Sequence, residues 1–290
     1  MQDQQNIINQ ILDQIEQDST ISTKDQLYKI TNEILKISGA PTAPPLFQIL
    51  AGYRDRLVLQ GKKSNPRIAK LLRKRAVRSL SGVSVISLLT KFWGCPGKCV
   101  YCPTFDTLPK SYVPSEPAVM RAELNDFDTV RQIQNRLRSL EITGHIVEKC
   151  DIRVIGGTWS VYPIEYQETV MRDIYDAHTT YSELAPHIEA VESGDRLAGF
   201  RVKKGYQMRA SGTLTEAQER NESAASRVIG IAIETRPDWI TPEEIVRLRN
   251  YGVTRVEIGY QTTDDHVNTV NRRGHGNAES MRATQLLKDA

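Results

Sequence analysis

Four short runs rich in β-branched residues, at 83–89, 152–155, 228–233 and 253–258, alternate with stretches whose apolar residues recur at helical spacing. The alternation predicts parallel strands covered by helices, because a strand that returns parallel to its neighbour needs a crossover long enough to hold a helix. Helices are expected at 129–140, 164–177 and 241–251. The last opens on Thr241-Pro242-Glu243-Glu244, a capping pattern, and stops before Gly252. An α/β chain of this kind is either a doubly wound sheet or part of a barrel, and in both the functional residues gather at the C-terminal strand ends. Residues 181–225, with Arg201, Lys203, Lys204 and Arg209, break the alternation and read as an insertion or loop before the third strand. The chain stops inside a helical pattern, 278–290, directly after the fourth strand unit. Four parallel strands do not close a barrel, so the expectation is a truncated chain.

Ahead of the first strand the pattern differs. Ile7, Ile8, Ile11, Leu12 and Ile15 share one helical face, and Leu27, Ile30, Ile34 and Leu35 another, which predicts a small helical region. The stretch from Gly39 to Pro45 breaks it. Asn65-Pro66 offers an N-cap and a first-turn proline for a basic helix running to about residue 77, and residues 79–82 read as a turn. The net charge of +3 conceals an asymmetry, since residues 54–78 hold ten Lys and Arg against Asp55 alone, which is +9 there and −6 elsewhere. Clustered cations gain affinity for phosphates through counterion release, so the block points to a polyanion partner, although a merely solvated charged helix has the same composition. No apolar run approaches the ~18 residues of a membrane span, and the N-terminus lacks a basic start followed by an apolar stretch; a cytoplasmic protein is expected.

Three of the four cysteines crowd into eight residues, Cys95-Pro96-Gly97-Lys98-Cys99-Val100-Tyr101-Cys102, just past the first strand. Cys-x3-Cys-x2-Cys lets three thiolates hold three irons of a [4Fe-4S] cluster and leaves the fourth iron open to chelate the amino and carboxylate groups of S-adenosylmethionine (SAM). A structural zinc site is the alternative, and it would have to recruit Cys150 or a histidine as a fourth ligand. Cys150 stands alone before the second strand and reads as a small buried hydrophobe. Tyr101, between the last two cysteines, either packs on the adenine of SAM or packs on the core.

With these residues in view the chain resembles the Elongator catalytic subunit family, the tRNA uridine(34) carboxymethyltransferases, in its radical SAM portion. The likeness runs from about Asn65 to the end. It rests on Ser79-Leu80-Ser81-Gly82-Val83, the cysteine loop, Glu116-Pro117-Ala118 with Met120-Arg121-Ala122, Gly156-Gly157-Thr158, Asn221-Glu222, Ile233-Glu234-Thr235-Arg236-Pro237-Asp238, Val256-Glu257-Ile258-Gly259-Tyr260-Gln261 and Arg273-Gly274-His275. Thr104-Phe105 stands where family members commonly carry a Gly-Gly pair, and the first cysteine gap is shorter than in many of them.

The resemblance implies a radical SAM partial (β/α) barrel, incomplete here, over residues 81–290, preceded at 1–80 by a small helical, basic tRNA-binding region. It implies a [4Fe-4S] cluster on Cys95, Cys99 and Cys102, SAM as cofactor, acetyl-CoA as co-substrate, the anticodon arm of tRNA as substrate, and Elongator-type partner subunits. The implied activity is carboxymethylation of C5 of the wobble uridine, an acyltransferase-type reaction begun by a radical at the acetyl methyl group. A non-catalytic tRNA-binding module and a radical SAM enzyme of another substrate stay open beside it. Cofactor contacts are expected from Tyr101, Gly156, Gly157, Thr158, Glu234, Arg236 and Gln261. RNA contacts are expected from Lys62, Lys63, Arg67, Lys70, Arg73, Lys74, Arg75 and Arg78. No catalytic residue is singled out. Glu257, inside a strand, needs a partner if it points into the barrel; Arg236 is one candidate, and contact with a ligand is the alternative for both.

Overall fold

A computed structural model describes residues 2–75, 79–190, 200–203, 209–210 and 212–290. The chain divides into two compact units, Met1–Gly82 with Arg138–Val147, and Val83–Leu137 with Glu148–Ala290.

The first unit is built on four helices, α1 (Gln2–Gln17), α2 (Lys24–Ser38), α3 (Leu46–Gln60) and α4 (Pro66–Leu72). Its core collects the apolar stripes of α1 and α2, with Ile7, Ile11, Leu12, Ile15, Leu27 and Ile34 buried against Ile49, Leu50 and Tyr53 of α3. Thr23 caps α2 in a reciprocal box with Gln26, and Gly39 ends it at φ 69°. Helix α3 is not among the elements that the sequence pattern predicts. Helix α4 is shorter than the expected basic helix, because Arg73 leaves helical geometry at φ −67°, ψ 129° and the Lys74 amide donates to Thr143 O at 3.0 Å.

The second unit is an α/β layer. A parallel sheet of β1 (Ser84–Leu89), β2 (Lys149–Ile155), β5 (Arg227–Thr235) and β6 (Arg255–Ile258) runs in the order β1-β2-β5-β6. The strands therefore add in chain order with no reversal, which is barrel-type winding, where a doubly wound sheet would switch direction. Between them run α5 (Pro117–Leu124), α6 (Thr129–Ile142, whose last turn belongs to the first unit), α7 (Ile164–Thr179), α8 (Leu214–Glu222) and α9 (Pro242–Asn250); α10 (Asp265–Val270) and α11 (Asn277–Asp289) follow β6. On β2, Cys150, Ile152 and Val154 are buried while Asp151, Arg153 and Ile155 are half-buried, so one face meets the core and the other stays open. Cys150 accordingly behaves as a buried apolar residue, and burial pushes its thiol up to about 11. Among the described residues no helix is long and apolar enough to cross a membrane.

Residues 181–225, unassigned from the sequence, hold an antiparallel pair, β3 (Ile188–Ala190) with β4 (Phe200–Val202), and α8. Thr213 and Glu216 cap α8 reciprocally, a signal present in the sequence as Thr-x-x-Glu. Arg209 is tied to Asp173 and Asp128 at 2.9 and 2.6 Å, so it holds this segment to the layer.

Candidate radical SAM site and basic face

All four strands point their C-terminal ends the same way, and the segments leaving those ends form one cavity of about 270 Å³. Cys95, Cys99 and Cys102 line it from the loop after β1; Gly157 and Thr158 follow β2; Glu234, Thr235 and Arg236 end β5; and Glu257, Gly259 and Gln261 end β6. Of the seven expected cofactor contacts, five are brought together here. Gly156 and Tyr101 are not among the lining residues.

Gly156 has a packing reason to be glycine. Its φ is +132°, and a Cβ there would sit 2.1 Å from Thr90 Oγ1. Its carbonyl accepts from Tyr162 Oη at 2.8 Å and from Thr90 Oγ1 at 3.2 Å, which pins the end of β2 to the end of β1. Gly157 and Thr158 are thereby turned to the cavity. Tyr162 also stacks on Tyr166, with ring centroids 5.1 Å apart, and packs near Trp93 and Trp159, giving the cysteine loop an aromatic base. Tyr101 is half-exposed beside Cys99, and burial is the first cause that raises its hydroxyl pKa.

The thiols sit among donors. The Gly97 amide donates to Cys95 Sγ at 3.4 Å, Thr158 Oγ1 lies 3.6 Å from the same sulfur, Ser111 Oγ is 3.1 Å from Cys102 Sγ, and Arg273 Nη1 donates to Cys99 Sγ at 3.5 Å. Lys110 Nζ donates to Gly97 O at 3.0 Å and closes the loop. Gly97 is the cradle of this arrangement. A Cβ on it would lie 2.7 Å from Arg236 Nη1 and 3.3 and 3.8 Å from the sulfurs of Cys95 and Cys99. Among the described residues no three His, Cys, Asp or Glu side chains converge as ligands of a single metal ion do. A cluster that takes one thiolate per iron spaces its ligands more widely, and three thiols around one cavity beside two guanidinium groups suit its negative charge.

The carboxylates are placed by strand register. Glu234 lies opposite Glu257, and Arg153 is two positions before Ile155 on β2. Glu257 pairs with Arg153 at 2.5 Å and with Arg255 at 3.6 Å, and Arg255 reaches Asp151 at 3.0 Å. The candidate Glu257–Arg236 pair does not form: Arg236 instead makes a two-pronged bond to Asp238, at 2.9 and 2.8 Å, two residues along its own chain. Burial works against the charge of Arg236, but Asp238 and the nearby thiols hold its pKa above the ordinary value. Burial raises the Glu234 carboxyl; a hydrogen bond from Tyr112 Oη at 2.9 Å opposes that, and Glu257 adds to it.

Lys110, Ser111, Tyr112 and Arg273 are wall residues that sequence reading assigned no role. Ser111 and Gln261 hold φ of 80° and 69°, a region costly for residues with a side chain, and both line this cavity.

On the helical unit, Lys62, Lys63, Lys70, Lys74 and Arg75 are exposed. Arg67 is not part of that face. Its two terminal nitrogens donate to the carbonyls of Ile15 and Ile21, both at 2.5 Å, so its charge serves the helical core. Arg73 is half-buried, and Arg78 lies outside the described residues. Arg54 and Arg56, counted in the basic block, are likewise spent inside the unit, on Glu141 O and on Asp13 with Glu16.

A model of the radical SAM superfamily matches residues 193–290. The tRNA uridine(34) acetyltransferase of Methanocaldococcus infernus is 31% identical over 290 residues, covering 98% of this chain and 48% of that protein. Along nearly its whole length the chain is thus similar to proteins named tRNA uridine(34) acetyltransferase. The Dehalococcoides mccartyi tRNA uridine(34) acetyltransferase is 37% identical over 216 residues, covering 74% of this chain and 41% of the relative, and human Elongator complex protein 3 is 29% identical over 297 residues, covering 98% and 47%. A solved structure, the archaeal Methanocaldococcus infernus Elp3 with residues 1–46 deleted, matches with a TM-score of 0.50 and 28% identity over 72% of this chain and 35% of that one. The chain spans about half the length of the relatives it matches.

Proposed function

We propose that this chain carries the cofactor site and RNA-binding face of a cytoplasmic enzyme that installs a carboxymethyl group on C5 of the wobble uridine of tRNA, using SAM and acetyl-CoA, beside Elongator-type subunits. The observation that carries the reading is the single cavity in which three cysteine thiols meet the ends of all four parallel strands. The similarity to tRNA uridine(34) acetyltransferases and the exposed lysines support the RNA part of it.

A [4Fe-4S] cluster on Cys95, Cys99 and Cys102 would supply the electron that cleaves SAM and starts radical chemistry. The remaining work is done by this chain's own groups. Gly97 leaves room between the sulfurs, and Arg273 places positive charge on Cys99. Gly157, lacking a side chain, and the Thr158 hydroxyl offer the end of β2 to the polar groups of SAM. Gln261 and Arg236 face the same space with amide and guanidinium donors. Tyr112 donates to Glu234 at the wall and fixes that carboxylate beside the same space. On the first unit, Lys62, Lys63, Lys70, Lys74 and Arg75 give the RNA backbone a face that needs no base-specific contact.

The test is chemical. The anaerobically reconstituted chain is incubated with SAM, tRNA and acetyl-CoA, 5′-deoxyadenosine is quantified, and the digested tRNA is read by mass spectrometry. SAM cleavage is expected to depend on all three cysteines and to rise when tRNA is present. Cleavage indifferent to tRNA but stimulated by another substrate class would overturn the proposal.

A further inference from the structure

Behind the cysteine loop lies a second cavity, about 710 Å³, which shares Gly97, Arg236 and Arg273 with the first. Its charged lining consists of Lys98, Arg236, Arg272 and Arg273 against Asp265 alone. That carboxylate is engaged, since Asp265 Oδ1 accepts from the Asn277 amide at 2.7 Å. Two neighbouring side chains in the wall are more than nine-tenths buried, Arg273 at 8% and His275 at 7% exposure. Three of their nitrogens have no hydrogen-bond partner: Arg273 Nε and both ring nitrogens of His275. The Gly276 backbone beside the ring falls short of hydrogen-bond geometry. A buried donor left unpaired costs about 1–3 kcal/mol, more when charged, and Arg273 Nε–H together with the one N–H of a neutral His275 ring makes two such donors, so the wall calls for an acceptor. Lys98 and Arg272, both exposed, stand at the rim.

From this arrangement we infer that the second cavity is a phosphate site, one that takes a backbone phosphodiester next to the uridine whose base is presented to the cysteine-lined cavity. Gly97, Arg236 and Arg273 line both cavities, so a nucleotide whose base enters the first would carry its phosphate toward the second. The inference rests on the tRNA reading above and deepens it, since the basic face of the helical unit would bind RNA generally while this cavity would register one nucleotide. A guanidinium and an ammonium at the rim suit an oxyanion, Arg in particular by paired donors.

The test uses an anticodon-arm RNA hairpin in which each phosphate flanking the target uridine is replaced, one at a time, by a neutral methylphosphonate. Affinity is measured for the wild-type chain and for Arg272→Ala, whose exposed side chain is outside the core. One flanking replacement is expected to weaken wild-type binding about tenfold, the size of a lost charge-assisted hydrogen bond. The same replacement should cost Arg272→Ala less than about twofold, because the contact is already gone. Lys98→Ala should behave like Arg272→Ala. RNA binding in which every replacement costs both proteins equally would overturn the phosphate site and leave the tRNA reading standing. Loss of acetyl-CoA binding in Arg272→Ala, with no methylphosphonate effect, would assign the cavity to the phosphates of the small co-substrate and overturn it as well. If the wild-type chain binds no RNA, the tRNA reading falls and takes this inference with it.

Discussion

Arg273 donates from Nη1 to Cys99 Sγ, 174 residues earlier in the chain, at 3.5 Å and from Nη2 to Gly259 O at 2.6 Å, so one guanidinium joins the cysteine loop to the end of the last strand. Positive charge and hydrogen bonds at cluster sulfurs favour the reduced state. Arg273→Ala is therefore expected to lower the reduction potential of the reconstituted cluster by about 60 mV, the one-electron equivalent of a charge-assisted hydrogen bond near ~1.4 kcal/mol. Arg273→Lys should recover part of the shift. A redox titration in which both variants match the wild type would show that the contact is only structural.

The two adjacent glycines after β2 should behave differently. Gly156→Ala puts a methyl group 2.1 Å from Thr90 Oγ1 at φ +132°, and a cost of about 3 kcal/mol or more in folding stability follows. Gly157 has φ +81° with nothing within 4 Å of where an added methyl would sit, so Gly157→Ala should cost only about 1–2 kcal/mol of backbone strain. Denaturant unfolding of the two variants compares them directly, and equal losses would contradict the packing account.

His178, 1% exposed, bonds Ser226 Oγ through Nδ1 at 2.8 Å, and burial pushes its imidazole down to about 3. The folded state thus keeps the ring neutral while the unfolded chain takes up a proton below ~6.5. Stability from this group is fully present above ~6.5 and is lost as pH falls toward 3, by roughly 2 kcal/mol at pH ~5. Unfolding curves for wild type and His178→Asn should converge as pH falls from ~7 to ~5. Parallel pH dependence in the two proteins would mean that another group sets the acid limit.

On the helical unit the cations divide into two kinds. Replacing Lys62, Lys63, Lys70, Lys74 and Arg75 with Ala should weaken tRNA binding and flatten its salt dependence, by about 0.7–0.9 in log-log slope per lost phosphate contact. Arg67→Ala should instead lower stability by about 1–3 kcal/mol, because it frees the carbonyls of Ile15 and Ile21, and should leave the slope nearly unchanged. Salt-series binding and thermal unfolding on the same variants separate the two effects.

The contrast also shows what the sequence could reveal. Strands β1, β2, β5 and β6 and helices α6, α7 and α9 were legible because β-branched runs and capping patterns are local signals. Residues Val253 and Thr254, read as strand, precede β6 because Thr254 turns its amide to Ile231 O at 2.9 Å. Helix α3 was not legible because its buried positions, Ile49, Leu50, Gly52 and Tyr53, cluster in the first half and are followed by Arg54 and Arg56, whose ion pairs and carbonyl contacts come from distant residues. The cysteines, Gly157, Thr158, Glu234, Arg236 and Gln261 were legible as motif residues at strand ends. Tyr112 and Ser111 were not, and Arg273 was legible only as part of a motif without a role, since only the folded chain brings Tyr112 to Glu234 and Ser111 and Arg273 to the thiols. The Arg153–Glu257 pair depends on strand register across 104 residues, which spacing along the chain does not encode.

Whether the three thiols hold an iron–sulfur cluster is decided by the iron and acid-labile sulfide content of the chain after anaerobic reconstitution, measured for the wild type and for single Cys→Ala variants. About four irons per chain are expected in the wild type and in Cys150→Ala, with loss of the cluster in Cys95→Ala, Cys99→Ala and Cys102→Ala. Zinc in place of iron, or metal content that falls with Cys150, would contradict the cluster assignment and the function built on it.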